Sequence, residues 1–277
     1  MTTKMQNLLA LVMVVSLLAA CRSIQNYQNP DEPLFIGTYA QTPPDFDGEL
    51  KVITWNIRFA EAIDQAITEL DETEELQDAD IILLQEMDDV GVETIARTLH
   101  YNYVYFPASI HTHNQKNFGN AILSIWPLAD PVKLLLPYRN PKNNQRRIAV
   151  RALVTVGTTE ISIYSVHTET AWLSSQKREV QIETLLRDIG QDQPRVIVGG
   201  DFNTFTAGSI IELEQQFAEF ELEPVSRGAG YTFEYHNFGF TLDHIFARGL
   251  SADASGVWPE TSASDHYPLW VILSLTK

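Results

Sequence analysis

The sequence predicts an α/β fold in which two packed β-sheets are covered by helices, and three observations carry that expectation. Strand-length apolar runs mix with stretches of helical periodicity from residue 49 onward. The middle of the chain strings together several β-rich, hairpin-like segments. No internal repeat, low-complexity run or shift of composition marks off a second domain.

The elements follow in order. "LKVITWNIR" (Leu50 to Arg58) reads as a strand, and Ile63, Ala66, Ile67 and Leu70 then mark one face of a helix. "ADIILLQE" (Ala79 to Glu86) is a continuous apolar run, the pattern of a strand buried on both faces. A helix is predicted near Val90 to Leu99. "YNYVYF", "GNAILSIW", "RRIAVRALVTV" and "EISIYSVHTE" follow as strands, between residues 101 and 169. Ile182, Leu185, Leu186 and Ile189 mark a further helical face, and "RVIVGGDFN" (Arg195 to Asn203) is the next buried strand. Residues 207 to 220 read as a helix, and "YTF", "LDHIFA" and "HYPLWVILSL" close the chain as strands.

The 277 residues are 44% hydrophobic and 10% aromatic, which supplies a globular core and excludes disorder. One cysteine, Cys21, excludes an intrachain disulfide. The formal net charge is −17, from 19 basic and 36 acidic residues. Such a charge repels polyphosphate at long range, so tight non-specific nucleic-acid binding is not expected; a local basic site is compatible with it.

The first twenty residues differ from the rest. Lys4 precedes "LLALVMVVSLLAA" (Leu8 to Ala20), an apolar run suited to a signal peptide and short for a membrane span, which takes about 20 apolar residues. "LLAAC" resembles the lipobox of bacterial lipoproteins. The resemblance implies that residues 1–20 are removed and that Cys21 becomes the lipidated first residue. Arg22 stands where an aspartate would signal retention in the inner membrane, which points to the outer membrane of a two-membrane cell. Residues 21–48 hold Pro30, Pro33, Pro43 and Pro44 without periodicity and read as a flexible tether spanning roughly 30 Å. Residues 49–277 read as one folded domain.

Several apolar strands end on groups that bind hard cations or move protons: Asn56, Glu86, His167, Asp201 with Asn203, Asp243, and Asp265 with His266. Singly, each has an ordinary explanation as a turn residue, a helix cap or a satisfied core histidine. Their recurrence favours a reaction centre. Carboxylate and carboxamide oxygens suit Mg²⁺ or Mn²⁺, and the absence of thiolates in the domain argues against structural zinc. Histidines add acid–base capacity near neutral pH. The inventory suits metal-assisted hydrolysis at phosphorus.

"WNIR", "LQE", "GNAILS", "VHTE", "GGDFN", "LDHIF" and "SDHYPL" resemble, in sequence and in order, the endonuclease/exonuclease/phosphatase superfamily over Leu50 to Leu275. The resemblance implies a four-layer α/β/β/α sandwich with the site at one edge of the two sheets. It implies a metal held by Glu86 and Asn56, with Asp265 reaching it directly or through water. Asp201 and Asn203 would position nucleophile and phosphate, Asn203 donating to a phosphate oxygen. His266 would act as general base, oriented by Asp243, and His167 would stabilise the transition state or protonate the leaving oxygen. Whether Asp201 or His266 takes the water proton stays open, as does the number of metal ions.

Substrate contacts are expected from Asn120 of "GNAILS" and from "PYRNPKNNQRRIAVR" (Pro137 to Arg151). That stretch holds Arg139, Lys142, Arg146, Arg147 and Arg151 and no acid, five of the 19 basic residues. Arg146 and Arg147 are its candidate substrate ligands. His111, His113 and Trp172 are further loop candidates, with Trp172 expected to pack on the next helix. Three functions are weighed: a phosphodiesterase or nuclease acting outside the cytoplasm, a hydrolase of phospholipid or inositol-phosphate head groups, and a binding module on a catalytically dead scaffold. Full retention of the catalytic positions argues against the third. No long exposed aromatic hairpin is evident for lipid insertion, and the Trp126 region is the candidate for one. A monomer is expected.

Overall fold

The computed structural model describes residues 24–42, 45–111 and 114–276. The signal segment, Cys21 and His113 lie outside the described residues.

Strand order follows from the hydrogen-bonded ladders. β1 (Gln25–Asn26), β2 (Phe35–Thr38), β3 (Glu49–Asn56), β4 (Ile81–Met87), β5 (Asn102–Ile110), β6 (Asn117–Ser124), β14 (Leu250–Val257) and β15 (Leu269–Leu275) make the first sheet. Its order is β1-β5-β6-β4-β3-β15-β14, with β2 also paired to β5. β7 (Leu128–Leu135), β8 (Ile148–Val156), β9 (Thr159–His167), β10 (Val196–Asp201) and β13 (Asp243–Arg248) make the second, in the order β13-β10-β9-β8-β7. A two-stranded hairpin, β11 (Phe233–Tyr235) and β12 (Phe238–Phe240), stands apart. β3 with β4 and β9 with β10 are parallel, and the other pairings are antiparallel, so both main sheets are mixed.

Alternation along the strands builds the layers. Val52, Leu83, Val104 and Ile122 of the first sheet meet Val150, Ile163, Ile197 and Ile245 of the second in one apolar core. Each such side chain contributes roughly 1.5–3 kcal/mol on burial. The opposite face of the first sheet (Ile53, Trp55, Leu84, Leu123) packs under α1 (Ile63–Glu72) and α2 (Asp89–Thr98). The outer face of the second (Tyr164, Val166, Val198, Phe246) packs under α3 (Ser175–Ile189) and α4 (Ala207–Ala218). This is the expected four-layer α/β/β/α sandwich.

The tether reading is corrected over residues 24–42. β1 and β2 pair with β5, and Lys133 Nζ donates to the Glu32 carbonyl at 2.6 Å. Pro30 and Pro33 sit between β1 and β2, short strands that add to the sheet. β7, β14 and β12 are further strands that the sequence reading does not contain, and the strand expected at "YTF" lies slightly later, at Phe233–Tyr235. The Trp126 region is corrected too: Trp126 is buried beneath Phe46, not offered to a lipid phase.

Candidate active site

The parallel pairs bring their C-terminal ends to one edge of the sandwich. β3 delivers Asn56 there, β4 Glu86, β9 His167 and β10 Asp201. β13 runs the other way and begins at the same edge with Asp243, directly opposite Asp201 in the ladder. His266 precedes β15 and is tied back to β3: its carbonyl accepts from Trp55 Nε1 at 2.9 Å, and Ser264 Oγ donates to the Asn56 carbonyl at 2.6 Å.

The Gly199–Gly200 pair explains how these ends come so close. A Cβ on Gly200, where φ is 152°, would lie 1.9 Å from the Val166 carbonyl oxygen. A Cβ on Gly199 would lie 2.6 Å from Leu83 Cδ1, across the interface between sheets. Only glycine fits at Gly200. Glu86 adopts φ 60° at a bulge where β4 and β6 fall out of register between Leu84 and Met87. A non-glycine residue there carries strain, and the kink turns the carboxylate into the cleft. Glu86 does not cap α2; Asp88 does, accepting from Gly91 N at 2.6 Å.

Asp201 is the hub. Its Oδ1 accepts from the Asn203 backbone N–H at 2.9 Å, and its Oδ2 accepts from Asn56 Nδ2 at 3.1 Å. The same Oδ2 lies 3.4 Å from His167 Nε2 and 3.9 Å from His266 Nε2. Burial pushes its carboxyl up to about 7; His266 opposes the rise and Asp243 adds to it. Asn203 takes φ 53°, which asparagine tolerates, and spends one amide hydrogen on the Thr168 carbonyl at 3.1 Å, leaving the other.

His266 and His167 are tuned oppositely. His266 Nδ1 and Asp243 Oδ2 are 2.8 Å apart. Burial disfavours the imidazolium, but Asp243, Asp201 and Asp265 carry its pKa up to about 10. His167 is held well below its ordinary value by burial, then by Arg147 and His266, so it is neutral. Arg147 Nη1 approaches His167 Nδ1 at 3.4 Å. A guanidinium only donates, so Nδ1 is the acceptor and Nε2 carries the proton. That N–H faces Asp201 Oδ2 and, at 4.0 Å, Glu86 Oε1.

A hard cation fits beside this cluster. Asn56 Oδ1 is buried without a hydrogen-bond partner. Burial raises the Glu86 pKa, Arg147 and His266 lower it and Asp265 raises it, and no direct ion pair with Lys or Arg is present among the described residues. Asp265 lies exposed at the mouth of the cleft. Asp201, Asp243 and His266 also hold ligand atoms within 4.8 Å of one another. Asp243 and His266 already face each other there as a hydrogen-bonded pair, so the open oxygen donors are those of Asn56 and Glu86.

Three substrate candidates are corrected. Asn120 is buried and commits its amide group to the Ile148 and Ser165 carbonyls, at 3.2 and 3.1 Å, fastening one sheet to the other. Arg147 is buried beneath the cleft, 3.7 Å from Glu169 Oε2, and positions His167 instead of forming an exposed rim. Arg151 is paired with Asp188 of α3. Trp172 is 62% exposed, not packed on a helix, and Lys142 Nζ sits 2.9 Å from its ring centroid. His111 stacks on Phe59 and Phe118, at 4.5 and 5.7 Å between centroids, and Phe118 lies 6.0 Å from His167. Sequence reasoning passes over Trp55, Ser264 and Glu169, whose roles as anchors are set by partners far along the chain.

The comparisons agree with this geometry. The model of the "Endonuclease/Exonuclease/phosphatase family" matches residues 53–266. A UPF0294 protein of Vibrio cholerae is 29% identical over 253 residues, covering 87% of this chain and 83% of its own. D. rerio TDP2 complexed with a single-strand DNA product superposes with a TM-score of 0.63 at 18% identity, over 82% of this chain and all of that one. A mannosyl-6-phosphatase of Bacteroides thetaiotaomicron gives 0.64 at 16%, again over 82% and 100%. The match spans each strand end that contributes to the cluster, and the chain belongs to the endonuclease/exonuclease/phosphatase family.

Proposed function

We propose that this phosphoester hydrolase depends on a divalent metal, Mg²⁺ or Mn²⁺, and cleaves phosphodiesters outside the cytoplasm. The observation that carries the reading is the convergence of His167, Asp201 and His266 on one cleft edge, with Asn56 Oδ1 and Glu86 beside them. Asn56 and Glu86 would hold the cation, with Asp265 at the mouth. When bound, it would polarise a phosphoryl oxygen.

The residues supply the rest. The facing atoms of Asp201 and His266 are too far apart for a direct hydrogen bond and close enough for one water oxygen to touch both. As water attacks phosphorus, a P–O bond forms, the ester P–O bond breaks, and the water proton passes to the Asp201 carboxylate, because His266 already carries its own proton. Asp243 holds the His266 ring in place. His167, neutral with its N–H toward the cleft, donates a hydrogen bond to a phosphoryl oxygen and is a poor acid for the leaving group. The remaining amide hydrogen of Asn203 is a second donor to phosphate.

The test uses residues 22–277 with Mg²⁺ or Mn²⁺, offered plasmid DNA, RNA, sphingomyelin and inositol phosphates. Chelation should abolish turnover and added metal restore it. His167→Ala and His266→Ala should each lose at least about a hundredfold while remaining folded by circular dichroism. Full activity in either variant sinks its assigned role, and an absence of turnover on every substrate favours the binding-module reading. Extracytoplasmic action rests on the lipobox-like "LLAAC"; incorporation of labelled palmitate at Cys21, lost in Cys21→Ala, tests it.

A second reading has its own observation. Tyr235 and Phe238 on the β11–β12 hairpin are 61% and 70% exposed, and the hairpin abuts the site: Phe233 bridges His266 in the backbone, with ring centroids 5.1 Å apart. Exposed aromatics at a catalytic edge suit a lipid head-group substrate. Tyr235→Ser with Phe238→Ser would then cut hydrolysis of sphingomyelin vesicles and spare a short-chain soluble analogue.

A further inference from the structure

Two arginines outside the catalytic cluster share a single neutral acceptor. Arg139 and Arg146, in the loop between β7 and β8, approach Gln28 Oε1 with their Nη2 atoms at 3.3 and 3.2 Å. Gln28 belongs to the N-terminal segment, ahead of the residues the family model matches. That segment grips the loop twice more. Asn26 Oδ1 accepts from Arg146 N at 2.7 Å, and Asn26 Nδ2 donates to the Asn144 carbonyl at 2.8 Å.

The pair has no counter-charge. Among the described residues no carboxylate lies within 4.0 Å of Arg139 or Arg146, although the chain has 36 acidic residues. Arg58, Arg97 and Arg227 each have one, whereas Arg178, Arg187 and Arg195 share the lack; what sets Arg139 and Arg146 apart is that both converge on one uncharged oxygen. Arg146 Nε is buried without a partner, and burial, then Arg139, lowers its pKa. Two guanidiniums around one carboxamide are left with donors that a tetrahedral oxyanion satisfies well. The location also fits. Arg146 is followed by Arg147, whose guanidinium touches His167, and consecutive Cα atoms lie about 3.8 Å apart. The loop that carries the pair therefore runs directly into the wall of the cleft, although the two side chains leave the chain on opposite sides.

We propose that Arg139 and Arg146, held in place by Gln28 and Asn26, bind a second, non-scissile phosphate, so that the preferred substrate carries at least two phosphate groups. The substrate half of this proposal rests on the hydrolase reading. The site itself does not.

Two measurements on residues 22–277 test it. In chelator, inorganic phosphate and pyrophosphate are titrated by calorimetry. Binding should weaken at least tenfold in Arg139→Gln/Arg146→Gln, weaken partly in Gln28→Ala, and persist in His266→Ala. With metal, kcat/KM is compared for thymidine 5′-(4-nitrophenyl phosphate) with and without a 3′-phosphate. The wild type should favour the bis-phosphate about tenfold or more, and in the double arginine variant the ratio should fall to about one. Phosphate binding equal in wild type and double variant overturns the site. Phosphate binding lost in the variant without any preference for the bis-phosphate means that the site takes free phosphate, which overturns the substrate assignment. No turnover of either ester, with arginine-dependent phosphate binding intact, refutes the hydrolase reading and supports the anion site.

Discussion

Asp243 and His266 face each other across 2.8 Å with little water around them, so each protonation state has a measurable consequence. The His266 pKa, despite the opposing effect of burial, is carried to about 10 by Asp243 and its neighbours. Its unfolded value is near 6.5. A folded value raised in this way adds stability that is fully present below about 6.5 and is lost as pH climbs through about 10. Asp243→Asn removes the cause. In chelator, the melting temperature of the variant should fall below wild type by several degrees at pH 6.5, and the gap should close by pH 10.5. A gap independent of pH would show that Asp243 does not hold a charged His266. The strand-end residues of this cluster are legible in the sequence because a polar group at the end of an apolar run is conspicuous. Arg147 is misleading for the opposite reason. Beside Arg146 in a loop it looks exposed, yet the alternation that begins with β8 turns it inward to Glu169 and His167 while Arg146 stays at the surface.

The central strands are legible as elements because they are buried on both faces and their apolar runs are unbroken. The strands that escape a sequence reading are edges or short hairpins. β14 ("LSADASGV") is largely exposed and pairs on one side only, so it needs no apolar alternation. β7 carries Pro131, which interior ladders exclude, and its register with β8 shifts between Ala129 and Val132. The N-terminal segment passes for a tether because its proline content resembles a linker, while β1 and β2 together make only six residues of strand. A shortened chain beginning at Asp45 should therefore melt several degrees below residues 22–277, since it exposes the edge of β5; equal melting temperatures would restore the tether. The glycine pair is legible as a place of close approach, and the structure makes its cost of replacement specific. Gly200→Ala should destabilise by about 3 kcal/mol or more, because the added carbon meets backbone atoms that cannot yield. Gly157→Ala, with φ 60° and nothing within 4 Å, should cost only about 1 kcal/mol. Chemical denaturation of both variants measures the contrast, and equal losses would mean that β9 and β10 are free to separate.

At the scale of the molecule, two fields oppose each other. A formal charge of −17 repels a phosphorylated substrate from every direction, while the Pro137–Arg147 loop offers local positive charge. The two act over different distances. The screening length is about 30 Å at 10 mM salt and about 8 Å at 0.15 M, so added salt removes the diffuse repulsion first and weakens contacts of a few ångströms last. For a small substrate with two phosphates, kcat/KM should accordingly rise about threefold or more between 10 and 100 mM salt and then level off. A basic nuclease on polymeric DNA behaves in the reverse way, because contact there releases many counterions. Arg139→Gln/Arg146→Gln should start lower and rise more steeply, since the variant keeps the repulsion and loses the local attraction. Stopped-flow or initial-rate measurements across the salt series check both slopes. A wild-type rate that falls from the lowest salt upward would mean that the loop's contacts outweigh the charge of the whole, and that substrate approaches this enzyme under local attraction alone.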